Sequence, residues 1–150
     1  MSNAPFKHVG KAAKWGWGIL IAVSAVLVLN GAVFYFMSAS PTIFQQDTGV
    51  PMAEVREAYP TVVDQVVREG QSVSILSAAF GVLTLTVALE GFRHGSRWAW
   101  NATWVLVAWL VVGGFQALVV SGRLTMGGFW VAFAVITLVG QVLARRGLAA

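Results

Sequence analysis

The chain contains no cysteine among its 150 residues. Structural disulfides, thiolate metal ligands and thiol–disulfide exchange are thereby excluded. Charge is also scarce: only 11% of residues are Asp, Glu, Lys or Arg, against about a quarter in ordinary soluble domains. That is too few to cover a water-facing surface. Histidine is limited to His8 and His94, both outside the long apolar runs, so the two cannot clamp a haem in the middle of a bundle. The sequence has no Gly-rich phosphate loop, no Ser-nucleophile motif and no carboxylate pair at catalytic spacing. It therefore leans away from an enzyme, and neither a cofactor nor a metal site is expected.

What the chain has is apolar length. Hydrophobic residues make up 57% of it, and its mean hydropathy is +0.74. A bilayer core about 30 Å thick is crossed by roughly 20 apolar residues of helix. Four runs meet that requirement: 15–37, 72–92, 98–120 and 128–144. The expected fold is an all-α membrane protein, an up-down bundle of four transmembrane helices forming a single domain over residues 1–150. Lys7, Lys11 and Lys14 before the first run, and Ser38-Ala39-Ser40 after it, resemble the flanks of a secretion signal. The run is longer than the roughly 7–15 residues of a signal core, so it is read as a retained span.

A formal charge of +4 and a pI near 10.1 would suit nucleic acid. The basic residues instead flank the spans, as membrane insertion requires, and no nucleic-acid partner is expected. Lys7, Lys11, Lys14, Arg93, Arg97, Arg145 and Arg146 fall on one side. Arg56, Arg68 and Arg123 fall on the other, with Asp47, Glu54, Glu57, Asp64 and Glu69. The positive-inside rule then places both termini in the cytoplasm of a cell (inner) membrane protein. Trp15, Trp17, Trp98 and Trp100 are expected at the cytoplasmic interface, and Phe34, Tyr35 and Phe36 at the opposite one.

Residues 38–70 form the one sizeable stretch between spans. Ser40-Pro41 ends the first helix. Val55, Tyr59, Val62 and Val66 recur at helical spacing, joined by Ala58, Val63 and Val67, predicting an outer amphipathic segment over 52–69, with Asp64 and Arg68 as an i,i+4 pair. Pro60 interrupts it, so two short helices are expected to meet there. The segment caps the bundle, lies on the membrane surface or docks a partner.

Helices in a bilayer associate by close packing and hydrogen bonds. Ser74, Ser77, Gly81, Thr84 and Ala88 form a small-residue stripe on the second span. Gly127, Ala134, Thr137 and Gln141 form another on the fourth, while Gly16, Gly18, Gly31 and Gly113-Gly114 add close-approach points. Gly95 can end one helix in the left-handed conformation and Ser96 can cap the next. Two polar layers are candidates for a site. The first combines Glu90, the one acid within a span, with Arg93, Asn101 and Gln141; the second combines Asn30 and Gln116. An intramembrane carboxylate is costly and points to function, but Arg93 and His94 lie within helical reach of Glu90 and can make it an ion pair. Asn101, Ala108, Val112 and Gln116 share one face of the third span.

The stretch Gly91-Phe92-Arg93-His94-Gly95-Ser96-Arg97-Trp98-Ala99-Trp100 resembles the G-F-R-x-G-x-R-W-A-W loop between spans two and three of small uncharacterised prokaryotic membrane proteins. Tyr59-Pro60 and the run that follows look similar too. The resemblance covers the middle third of the chain, and implies a four-span fold and no activity. The function expected from all of this is a non-catalytic accessory or scaffold subunit. It would contact the lipid bilayer and pack against other membrane proteins or copies of itself. The alternative is a small transporter or lipid-binding protein using the polar layer around Glu90.

Overall fold

The computed structural model describes residues 10–120, 122, 124–146 and 148. These residues are mostly helical, with no strand among them. In order, α1 is Lys11–Met37, α2 Pro41–Thr48, α3 Met52–Ala58, α4 Pro60–His94, α5 Arg97–Ala102 and α6 Trp104–Phe115. A π-helical turn, Gln116–Val120, extends α6, and α7 is Leu124–Arg145. Among the described residues, four helices are long and apolar enough to cross a membrane: Lys11–Met37, Pro60–His94, Arg97–Val119 and Gly127–Arg145. The chain is an all-α four-helix membrane protein. Its contacts group it into two compact units. One runs from Val26 to Val82; the other joins the residues up to Ala25 with those from Leu83 onward.

In the Val26–Val82 unit, α1 and α4 meet through their smallest residues. A Cβ on Gly31 would stand 2.6 Å from the Ser74 carbonyl oxygen and 2.7 Å from the Ala78 nitrogen. A Cβ on Gly81 would stand 2.8 Å from the Val28 nitrogen. Neither position has room for a side chain, so backbone packs on backbone, the usual solution where lipid supplies no hydrophobic drive between helices. Ser74 completes the seam by returning its hydroxyl to the Gly70 carbonyl, at 2.7 Å.

The outer segment of this unit departs from expectation in four ways. Residues 41–48 are helical, opened by Pro41 in the first turn and closed by Gly49 at φ 77°, whose N–H donates to the Gln45 carbonyl. Beyond Tyr59 there is no second short helix, because Pro60 starts a 35-residue helix that runs unbroken into the second span. The break at Tyr59 (φ −142°, ψ 71°) also resets the helical phase. Val55 stays on the buried side with Val63, Val66 and Val67, around Phe44 and Met52. Tyr59 and Val62, assigned to that face by one continuous periodicity, are instead 65% and 45% exposed. The Asp64–Arg68 pair is also rearranged: Arg68 Nε donates to the Asp64 carbonyl oxygen at 3.3 Å. The Asp64 carboxylate faces Arg56 at 3.9 Å, an exposed contact of little energetic weight.

In the other unit, α4 and α5 are joined by the expected turn. Gly95 (φ 59°) donates its N–H to the Gly91 carbonyl at 2.8 Å, and the Ser96 hydroxyl accepts from the Ala99 N–H at 3.3 Å. Trp17, Leu20, Ala88, Ala99 and Ala144 form a fully buried cluster. Gly16 lies against the backbone of Gly140, Leu143 and Ala144, and Gly91 lies under the six-membered ring of Trp17. Trp130 of α7 rests on Gly113, 2.9 Å from where its Cβ would be.

Trp15 and Trp98 are exposed, as interfacial residues are, at 72% and 58%. Trp17 and Trp100 are not. Residues two apart on a helix point to nearly opposite sides, so Trp17 is sealed in the cluster and Trp100 turns inward.

Candidate functional site

The buried polar centre lies where the third span changes pitch. The α-helical pattern is interrupted at Thr103 between α5 and α6, and the Thr103 hydroxyl donates back to the Trp100 carbonyl at 2.9 Å. That same hydroxyl accepts from Gln141 Nε2 at 2.8 Å. Trp100 Nε1 then donates to the Gln141 backbone carbonyl at 3.0 Å. Two side chains of the third span thus hold one residue of α7, through its amide and its backbone. Thr103, Gln141 and, one turn away on α7, Thr137 are fully buried; Thr137 is satisfied by the Phe133 carbonyl at 2.7 Å. Among the described residues of this unit, Gln141 Oε1, Trp17 Nε1 and Ser24 Oγ are buried without a hydrogen-bond partner.

The structure gathers the expected polar layer only in part. Gln141 is at the centre, but Asn101 is exposed on the outward side of α5, because Thr103, two residues on, takes the inward one. Arg93 is exposed. Glu90 is partly exposed at the end of α4 and accepts from His94 Nδ1 at 2.9 Å, one helical turn away. The two residues of the other layer belong to different units: Asn30 is partly buried in the Val26–Val82 unit, and Gln116 is exposed at the start of the π-helical turn in the other unit. Thr103 and Trp100 were missed from the sequence. The available signal was Thr103, the one hydroxyl in the third span, three residues after the Trp100 indole.

The Thr103 hydroxyl is bonded to a carbonyl and an amide, neither of which is a base that could activate it, and an amide and an indole do not titrate near neutral pH. Among the described residues, no group of three or more His, Cys, Asp or Glu is placed to hold a metal. What the Gln141 centre can do is fix the register of α7 against the third span.

No protein family, curated protein or solved structure matches the chain. The class defined by the fold is a multi-pass integral membrane protein with four spans.

Proposed function

We propose that the chain is a non-catalytic accessory or scaffold subunit that packs against other membrane proteins or copies of itself, through the outward face of its third span. The observation that carries this reading is the shared exposure of Asn101, Ala108, Val112 and Gln116. An amide facing hydrocarbon finds no water to bond, whereas a neighbouring helix supplies a partner for it. Ala108, small and midway between the two amides, allows a second backbone to approach. Glu90, engaged by His94 at the end of α4, lends no support to a transport role. In this reading both termini are cytoplasmic in the cell membrane, in keeping with the placement of the basic residues, and the chain belongs with the small prokaryotic four-span proteins whose loop it resembles.

The test is purification of the full chain from native membrane in mild detergent, beside an Ala108→Trp variant and an Ala79→Trp control on the outward side of α4. The reading expects an assembly that Ala108→Trp disrupts and Ala79→Trp leaves intact. A strictly monomeric particle with no co-purifying membrane protein removes it.

A further inference from the structure

One end of the second unit carries a concentration of positive charge unlike anything else in the chain. Lys11, Lys14, Arg93, Arg97, Arg145 and Arg146 are all exposed there. Their level is set by the buried cluster: Gly16 lies against Ala144, Trp17 covers Gly91, and Ala99 joins Trp17 and Ala144. Each basic residue lies within six positions of one of these anchors, or about 9 Å of helix at 1.5 Å per residue. The six cations therefore form one belt. The single acidic residue of that unit is Glu90, and its carboxylate is engaged by His94 at 2.9 Å. Trp15 and Trp98 are exposed beside the belt, with the apolar faces of α1 and α5–α6 below them. Indoles settle at the headgroup level of a bilayer, so the cations and the lipid phosphates share a plane.

We propose that this belt binds the headgroups of anionic phospholipids, concentrating them around the protein in one leaflet. Charge complementarity selects a phosphate-bearing ligand, and the flanking tryptophans and apolar helix faces select one with acyl chains. Juxtamembrane basic residues attract anionic lipid with roughly fivefold preference each at low ionic strength.

The test places the full chain in phosphatidylcholine nanodiscs and measures, by electron spin resonance, how strongly it immobilises spin-labelled phosphatidylglycerol relative to spin-labelled phosphatidylcholine. A preference for phosphatidylglycerol of about fivefold or more is expected at low salt, falling towards parity in about 1 M NaCl, where screening acts over roughly 3 Å. Arg145→Gln/Arg146→Gln should lower it severalfold, with the lysines and loop arginines left to hold orientation. Arg56→Gln/Arg68→Gln, in the other unit, should leave it unchanged. Equal immobilisation of the two lipids, a preference insensitive to the Arg145/Arg146 change, or one moved as far by the Arg56/Arg68 change overturns the proposal. If the Arg145/Arg146 variant does not fold, the wild-type salt series decides, together with competition by inorganic phosphate at matched ionic strength. Displacement by phosphate beyond the chloride control would make the ligand a free anion and also overturn it.

Discussion

Gln141 donates its side-chain amide to the Thr103 hydroxyl at 2.8 Å, with both side chains fully buried. The two ends of this bond are not equivalent. Thr103→Val strands a buried N–H at a cost of about 1–3 kcal/mol. Gln141→Leu leaves the Thr103 hydroxyl still bonded to the Trp100 carbonyl and also removes the unpartnered Oε1, so its cost should stay below about 1 kcal/mol. The double variant should resemble Gln141→Leu alone. Reversible unfolding in bilayers by steric trapping measures all three, and a larger loss for Gln141→Leu than for Thr103→Val would refute the assignment.

The contact between Gly91 and Trp17 makes a second prediction. A methyl group at Gly91 would overlap the Trp17 ring, which has no flexible end to move aside. Gly91→Ala should destabilise by about 1–3 kcal/mol through overpacking. Trp17→Leu, which leaves a cavity in the buried cluster, should cost several kcal/mol. In the double variant the methyl group fills part of that space, so the combined loss should be smaller than the sum of the single losses. Simple additivity would show that the two residues do not meet.

Glycine tests the α1–α7 approach in the same unit. Gly16 faces the backbone of Gly140, Leu143 and Ala144, whereas Gly18 faces open space. Gly16→Ala should lower stability by about 1–3 kcal/mol, because a backbone neighbour cannot turn away. Gly18→Ala should be neutral or slightly stabilising, since alanine is the better helix former. Equal sensitivity at the two positions in thermal unfolding would contradict the observed packing.

These residues also show how far the sequence could be read. Span number was legible because bilayer thickness imposes a length that composition alone satisfies. The Gly95-Ser96 turn was legible because each residue has one suitable backbone role. Facing was harder, since spans apolar all round leave periodicity little to report. Asn101 and Thr103, or Trp15 and Trp17, are separated by two positions, and only packing decides which of each pair turns inward. The outer segment was misphased for a local reason. The backbone break at Tyr59 turns Tyr59 and Val62 outward, while Val63, Val66 and Val67, read onto the same apolar side, stay inward.

That outward turn of Tyr59 and Val62 is itself testable. Phe44, Met52 and Val63 are buried together, while Tyr59 and Val62 face outward. Val63→Asp places a carboxylate among apolar side chains with no cation in the cluster, and should release the α2–α3 segment. Val62→Asp adds a charge to an exposed position and should be tolerated within about 0.5 kcal/mol. Limited proteolysis in nanodiscs reads the difference directly. Cleavage within residues 41–58 should accelerate by an order of magnitude or more in Val63→Asp, since a local loss of about 1.4 kcal/mol multiplies the open population tenfold. It should be unchanged in Val62→Asp. The reverse order would restore a single uninterrupted helical phase through Pro60 and remove the break at Tyr59 as the feature that orients the segment.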